Sequence, residues 1–219
     1  QIPSSSMEPG LQVGDFVLVN KFSYGLKLPA LNKAINRGSS PKRGDVAVFL
    51  PPHTLCNAKP EDARPELSSL PLKESQIFLG KFISLQKSRC SKLGMKYVKR
   101  VIGVPGDKVT IKGYELYING EKIEQVIKKR NGNEAIFIET IEEKEHLIRI
   151  LGISEYESFS WTIPQDRFLV LGDNRDNSLD SRAWGYFSKE NLIGKAEFIW
   201  LHWALFSEMP SFNRNKRIQ

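Results

Sequence analysis

The chain has 219 residues, of which 40% are hydrophobic and 26% charged, a composition that supports a folded core and excludes disorder throughout. Lysine and arginine (32) outnumber aspartate and glutamate (25), so the formal net charge is +7 and an anionic partner, either nucleic acid or a membrane surface, has to be considered. No apolar run reaches the roughly 18 residues of a membrane-spanning helix, which excludes such a helix within this sequence.

Short segments rich in β-branched and aromatic residues predict a mostly β protein. In chain order they are DFVLVNKF, DVAVFL, KYVKRVIGV, DKVTI, YELYING, RFLVLG and AEFIWLHW. Gly-Asp pairs at 14–15, 44–45, 106–107 and 172–173 border these segments, where glycine permits unusual backbone angles and aspartate can close a turn with its side chain. The pair 119–120, Asn-Gly, predicts a hairpin turn.

Two stretches interrupt the strand pattern and divide the chain. Residues 51 to about 95 are rich in proline, serine and lysine, and we interpret them as an excursion from the main domain. Residues 113–165 include the charged segment ETIEEKEHLIRIL and predict a small inserted α+β subdomain. The main β domain would then be built from residues 1–112 and 166–219.

Cysteine and histidine are scarce. Cys56 and Cys90 both lie in the excursion and are too few for a disulfide scaffold; one bridge and two free thiols are both compatible with the sequence. His53, His146 and His202 are far apart, and no Cys-x-x-Cys motif accompanies them. The sequence therefore predicts neither a metal site nor a cofactor.

The segment PSSSMEPG places three serines close to the start of the chain. Composition alone favours a serine-rich linker. However, Met7, Leu11 and Val13 indicate a segment that packs, and it leads directly into the strand DFVLVN. A serine in a packed segment can act as a nucleophile only if a neighbouring base removes its proton.

A lysine in the segment KYVKRVIGV is a candidate for that base. If residues 97–102 form a strand, Tyr97, Lys99 and Val101 share one face. The alternative is an edge strand that uses lysine against aggregation. A general base at neutral pH needs a lysine pKa of roughly 7 or 8 instead of about 10.4, a change of about 4 kcal/mol that only burial can supply. The base hypothesis therefore predicts that Lys99 is buried.

The loop LGDNRDNSLDSRAWG is the third chemically rich segment. It does not fit the EF-hand calcium pattern, because the positions that need glycine and glutamate hold other residues. Asp173, Asp176 and Asp180 alternate instead with Arg175 and Arg182. This pattern favours an internal lattice of salt bridges and hydrogen bonds, which would be a rigid support.

Four segments in order, PSSSMEPGL, RGDVAVF, YVKRVIGVPGDKV and GDNRDNSLDSRAWG, resemble the motif boxes of type I signal peptidase. That family consists of membrane-anchored Ser/Lys endopeptidases that remove signal peptides from exported bacterial proteins. The resemblance covers the main domain and implies a signal-peptidase-like antiparallel β-sheet catalytic domain. It also implies that a membrane anchor precedes Gln1 and that the catalytic domain lies on the periplasmic side of the inner membrane. The absence of an initial Met agrees with residues preceding Gln1.

The resemblance also implies roles for individual residues by motif position. Ser6 is similar to the nucleophile and Lys99 to the general base. Ser4 is similar to the hydroxyl that completes an oxyanion hole with the backbone N–H of Ser6. The supporting residues are Ser178, which would orient the lysine amine, and Asp180, Arg182 and Arg100, which would form the lattice.

By the same resemblance, the substrate is a preprotein signal peptide cut after an Ala-X-Ala-like site, bound by β-addition to exposed strands near Ser6 and Lys99. Shallow pockets for alanine are expected, with ordinary core packing as the alternative for their residues. The expected lining is Ile2, Pro3, Met7, Leu11, Val17, Val48, Tyr97 and Val98. The lipid surface is the second expected partner, contacted by Trp203, Leu205 and Phe206, and no nucleic acid is expected.

Three other functions compete with this interpretation. A dedicated maturation peptidase of a conjugative or secretion system would share the Ser/Lys boxes, but the full GDNRDNSxDSR box and the inserted stretch favour the general enzyme. A self-cleaving repressor would need a helix-turn-helix segment and a small-residue cleavage site before the serine, and neither is visible. A basic nucleic-acid-binding module would interleave its cations with stacking aromatics, whereas here arginine alternates with aspartate.

Overall fold

The computed structural model describes residues 1–25, 39–152, 158–204 and 208–219. The predicted mostly β architecture is confirmed. The strands are β1 (Asp15–Asn20), β2 (Val46–Phe49), β3 (Tyr97–Gly103), β4 (Lys108–Lys112), β5 (Glu115–Ile118), β6 (Glu121–Lys122), β7 (Glu124–Asn131), β8 (Glu134–Ile141), β9 (Lys144–Ile150), β10 (Phe159–Thr162), β11 (Arg167–Leu171), β12 (Phe187–Ser188), β13 (Leu192–His202) and β14 (Lys216–Arg217). The α-helices are α1 (Pro60–Ala63), α2 (Leu72–Arg89) and α3 (Ser181–Trp184).

The main sheet joins strands from the two ends of the chain. Its order is β1-β13-β2-β3-β11-β12, with β14 also paired to β13, and its pairings are antiparallel. Strand β3 lies between β2 and β11, so it is an interior strand. The edge-strand interpretation of Lys99 is therefore wrong, and the side chain is buried rather than solvated.

Both faces of the main sheet are covered by apolar side chains. On β2, Val46 and Val48 pack in one buried cluster, whereas Ala47 and Phe49 pack in another. The first cluster includes the N-terminal Met7. Because both faces are buried, these strands have continuous apolar runs rather than an alternating pattern.

The stretch 113–165 contributes to two smaller sheets, ordered β10-β4-β5-β6 and β7-β8-β9. The helix expected there is absent from its described residues. Strands β8 and β9 pair from Ala135↔Ile150 to Ile141↔Lys144. Buried positions recur at every second residue, at 139 and 141 on β8 and at 146, 148 and 150 on β9, so the segment follows the period of a strand and not of a helix. Strand β4 lies before residue 112, where the first part of the main domain was predicted to end. It pairs with β5 and β10, which both lie after that boundary.

The excursion, residues 51–95, contains the longest described helix, α2. On this helix Phe78 and Phe82 pack against Ala63 and Leu67 in a small separate core. Cys56 and Cys90 form a disulfide across the excursion. No helix in the described part of the chain is long and apolar enough to cross a membrane.

The turns beside the strands follow the Gly-Asp prediction at three of the four pairs. Gly14, Gly44 and Gly106 have φ of 93°, 81° and 90°, which is the region that favours glycine. Each following aspartate accepts a hydrogen bond from the backbone N–H three residues earlier, at 2.8–3.0 Å. Gly172 is the exception, since its φ is not positive and Asp173 has a different partner. The Asn119-Gly120 hairpin joins β5 to β6 as predicted.

Substitution of Phe49 tests how much buried packing contributes to the stability of the main sheet. Phe49 is 0% exposed and its ring stacks on Phe187 with centroids 4.1 Å apart. Phe49→Ala should lower the free energy of unfolding by about 3–5 kcal/mol, because it removes a buried ring and leaves a cavity. Leu18→Ala, at a side chain that is 53% exposed, should cost about 0.5 kcal/mol or less. Denaturant titration followed by circular dichroism measures both, and similar losses would contradict this packing.

Candidate active site

The serine segment is packed onto the main domain, so the linker interpretation is wrong. Residues Ser5–Met7 form a single 3₁₀ turn that ends with Glu8 N–H donating to the Ser5 carbonyl. Met7 is 1% exposed, and its carbonyl accepts from Leu11 N–H at 2.9 Å. The buried methionine fixes the turn, which leaves the neighbouring Ser6 half-buried at the surface of the sheet.

Lys99 meets this serine from the middle of β3. It lies opposite Ala47 on β2, whose small side chain leaves room for the lysine chain. Lys99 is 3% exposed, and its Nζ donates a hydrogen bond to Ser6 Oγ. The Tyr97 ring, on the same face of the strand, has its centroid 5.9 Å from Lys99 Nζ. The two residues predicted as nucleophile and base are therefore in direct contact.

Burial dominates the electrostatics of this lysine. It lowers the pKa of Lys99 to about 8, because the ammonium form loses its hydration. The negative charges of Asp180 and Asp173 act in the opposite direction, and the positive charge of Arg182 adds to the lowering. A substantial fraction of Lys99 is thus neutral near pH 8, as a general base requires.

The loop between β11 and α3 forms two bidentate ion pairs. Arg182 donates to both carboxylate oxygens of Asp180 at 2.8 Å, and that carboxylate also accepts from Gly172 N–H at 3.0 Å. Arg100 donates from Nε and Nη2 to the two oxygens of Asp173, both at 2.8 Å. The predicted lattice residues therefore form two separate pairs, with Asp173 as the partner of Arg100.

The same loop holds the serine turn through amide side chains and backbone. Asn174 N–H donates to the Ser6 carbonyl and Asn174 Nδ2 to the Ser5 carbonyl, both at 3.1 Å. Asn177 Nδ2 donates to Ser5 Oγ at 2.9 Å. Sequence reasoning did not assign Asn174 or Asn177 a role, although both stand in the GDNRDNS segment that it singled out. Both are asparagines that stand next to charged residues, and this local pattern is the sequence signal by which they could have been predicted.

Gly172, which the sequence predicted as a turn glycine, instead serves close packing at the site. A Cβ atom at this position would lie 2.1 Å from Ser178 Oγ and 2.5 Å from the Ser6 carbonyl oxygen. Ser178 Oγ is buried and has no hydrogen-bond partner among the described residues, Lys99 included. Only glycine therefore lets the loop segment around Ser178 approach the serine turn this closely.

The remaining predicted residues occupy several environments. Ser4 is exposed, with its Oγ 3.4 Å from Ser6 Oγ. Tyr97 does not pack with the other pocket candidates, because it belongs to the buried cluster on the other face of the sheet. Pro3 is exposed. The other pocket candidates share one apolar cluster beside the serine turn: Ile2, Met7, Leu11, Val17, Val48 and Val98.

The aromatic segment near the end of the chain is only partly described. Trp203 is half-buried, and its indole Nε1 donates to the Glu208 carbonyl at 2.9 Å. Trp200, earlier on β13, is 42% exposed and packs edge-on against Phe16. Leu205 and Phe206, which were expected to contact a membrane, lie outside the described residues.

Comparison with known proteins decides the family. The sequence model of the family described as signal peptidase, peptidase S26, matches residues 1–203. The chain belongs to this signal peptidase family. A signal peptidase I from Pseudomonas aeruginosa is 35% identical over 98% of this chain and 69% of its own length. A signal peptidase I from Buchnera aphidicola (subspecies Schizaphis graminum) is 33% identical over 100% of this chain and 72% of its own length.

Membership of the signal peptidase family makes the chain a serine endopeptidase, a hydrolase of peptide bonds. Among solved structures, a signal peptidase I from Enterococcus faecalis has 23% identity and a TM-score of 0.36 over 72% of this chain and 97% of its own. The family match includes all four motif segments, among them the serine turn, β3 and the loop that follows β11.

Gly172→Ala tests the close approach at the site. The added methyl group should push the Ser178 segment away from the serine turn and lower kcat/KM roughly hundredfold, because small displacements of reacting groups are costly. Gly80→Ala is the matched control, since nothing lies within 4 Å of its new methyl group and alanine favours helix α2. Peptide cleavage assays on the two variants make the comparison, and equal activities would contradict the proposed crowding.

Proposed function

We propose that this chain cleaves signal peptides from exported preproteins after Ala-X-Ala-like sites, with Ser6 as nucleophile and Lys99 as general base. The single observation that carries the proposal is the hydrogen bond from the buried Lys99 Nζ to Ser6 Oγ. Family membership and the names of the two relatives above, both signal peptidase I, support the substrate class.

The reaction proceeds through an acyl-enzyme. Ser6 Oγ attacks the scissile carbonyl carbon while its proton passes to neutral Lys99 Nζ. The oxyanion accepts hydrogen bonds from the Ser4 hydroxyl and the Ser6 backbone N–H, each typically worth a few kcal/mol of barrier. The protonated lysine then gives its proton to the leaving amine as the C–N bond breaks. Lys99 next takes a proton from the water that attacks the ester, and it returns this proton to Ser6 Oγ as the C–O bond breaks and the signal peptide leaves.

The support residues act on this reaction through the nucleophile and the base. The Asp180–Arg182 and Asp173–Arg100 pairs hold the loop rigid, and the loop fixes the serine turn through Asn174. The buried and unpartnered Ser178 hydroxyl remains the candidate for orienting the lysine amine once substrate is bound.

Specificity for small residues would come from the apolar cluster beside the serine turn. Ile2, Met7, Leu11 and Val48 are each at most 6% exposed, so they pack tightly and offer only shallow depressions to a substrate. Such a surface accepts a methyl group and rejects bulk. An extended peptide would reach it by adding to exposed strand backbone near Ser6.

We also propose that the chain works at the bacterial inner membrane with its catalytic domain on the periplasmic side. The Cys56–Cys90 disulfide is compatible with an oxidising compartment. The net charge of +7 and the exposed Trp200 suit a lipid surface with anionic headgroups, which Trp203 would also approach.

The alternatives are not favoured. A dedicated maturation peptidase would process one substrate, so we expect this chain, unlike such an enzyme, to cleave several unrelated signal peptides. A nucleic-acid-binding module would bind DNA or RNA tightly at low salt with a steep salt dependence. Filter binding measures that property, and we expect none.

The nucleophile and base are tested by single substitutions in a fluorogenic Ala-X-Ala peptide assay in detergent. Ser6→Ala and Lys99→Ala should each lower kcat by at least about 10³-fold, because both members of a catalytic pair are needed. Ser68→Ala and Lys129→Ala, at exposed positions, are the matched controls and should keep native activity. Full activity of Lys99→Ala would overturn the assignment of the base.

The pH profile is a separate test. The kcat/KM of the native chain should rise with pH through an apparent pKa of about 8, because only the neutral lysine accepts the serine proton. Below that pKa the activity should fall about tenfold for each pH unit. An apparent pKa near the ordinary pKa of lysine would mean that Lys99 is hydrated in the working enzyme.

A further inference from the structure

Two residues from opposite ends of the excursion meet at one hydroxyl group of β3. His53, in the 3₁₀ turn Pro52–Thr54, is 0% exposed and its Nε2 lies 3.4 Å from Tyr97 Oη. Arg89, the last residue of α2, donates from Nη1 to the same oxygen at 3.3 Å. The ring of His53 also packs edge-on against the Tyr97 ring, with centroids 5.5 Å apart.

The disulfide closes the excursion beside these two residues. Cys56 follows His53 by three residues, and Cys90 follows Arg89 directly. Hydrogen bonds reinforce the closure, since Gln86 Nε2 donates to the Leu55 carbonyl at 2.8 Å. The bridge therefore determines how the two ends of the excursion stand relative to each other and to β3.

Tyr97 connects the excursion to the catalytic lysine. Its ring is 5.9 Å from Lys99 Nζ on the same face of β3, so it forms part of the wall that keeps water from the amine. His53 also packs against Trp184, the fully buried last residue of α3, with centroids 5.6 Å apart, and α3 directly follows the loop that supports the serine turn. The excursion thus contacts β3, which carries the lysine, and α3, which follows the supporting loop.

We propose that His53 and Arg89 are positioning residues, which hold the Tyr97 ring against Lys99, and that the Cys56–Cys90 bridge makes this hold reversible by reduction. The inference rests on the proposed function. A dithiol would break the S–S bond, leaving thiols on Cys56 and Cys90, and would itself be oxidised to a disulfide. The released ends of the excursion would then let the Tyr97 ring move and water reach Lys99.

The charged groups around Lys99 and His53 predict how reduction of the disulfide changes the pH profile. Lys99 faces Ser6, Asp173, Asp180 and Arg182, none of which belongs to the excursion, so reduction changes its hydration and not its charged neighbours. His53 faces Arg89 and Tyr97. Burial and the Arg89 charge lower the pKa of His53 to about 4, so it stays neutral across the assay range and contributes no limb of its own.

The test compares pH profiles of kcat/KM from pH 6 to 10 for the native chain before and after reduction with dithiothreitol. Reduction should raise the apparent pKa of the acid limb by about one unit, which lowers kcat/KM at pH 7 about tenfold. Reoxidation should restore the native profile. The double variant Cys56→Ser, Cys90→Ser should show the shifted limb with and without dithiothreitol. Thiol titration verifies the state of the bridge.

Single variants separate positioning from folding. His53→Phe keeps a ring of similar size but loses the nitrogen beside Tyr97 Oη, and Arg89→Met loses the other polar contact; both should shift the limb upward. Arg130→Met, at an exposed position on β7, is the matched control. Circular dichroism reports whether each variant is folded.

An unchanged limb after complete reduction would overturn the inference, even if the proposed function holds. A fall in activity without a shift of the limb would also overturn it, because a merely structural role predicts that result. Failure of the oxidised native chain to cleave at all would instead contradict the proposed function. If the double variant does not fold, reduction of the native chain and His53→Phe still decide the question.

Discussion

The candidate active site depends on a lysine that is buried without an ion-pair partner. Lys99 is 3% exposed, and no carboxylate lies within ion-pair distance of it among the described residues. Its nearest acidic neighbours, Asp173 and Asp180, are each bound by an arginine in bidentate geometry, so their charges only partly offset the loss of hydration. A pKa of about 8 means that the charged form is disfavoured by about 3 kcal/mol relative to water.

The rest of the fold keeps this unfavourable arrangement in place. Lys99 and Ser6 are 93 residues apart, and they meet because β3 lies inside the main sheet while Met7 anchors the serine turn to that sheet's apolar cluster. The loop after β11 supports the turn, and the excursion contacts Tyr97, so segments that are distant in sequence meet around the site.

Local patterns predicted much of this correctly. The β-branched segments became strands, and alternation correctly placed Tyr97 and Lys99 on one face. The pattern could not show whether β3 was an edge or an interior strand, because that depends on which strands pair with it. The charged segment ETIEEKEHLIRIL, residues 139–151, was also ambiguous by composition, and only the pairing of β8 with β9 determined that it was not helical.

The sequence by itself determined the turn chemistry, the strand pattern and the residues of the motif segments, because each depends on near neighbours in the chain. The tertiary structure alone decided that Arg100 pairs with Asp173, and that Gly172 serves close packing rather than a turn. In sequence, Gly172-Asp173 looks like the three Gly-Asp turns. The difference arises because Ser6 and Ser178 approach it from elsewhere in the fold, and such distances across the chain leave no local signal.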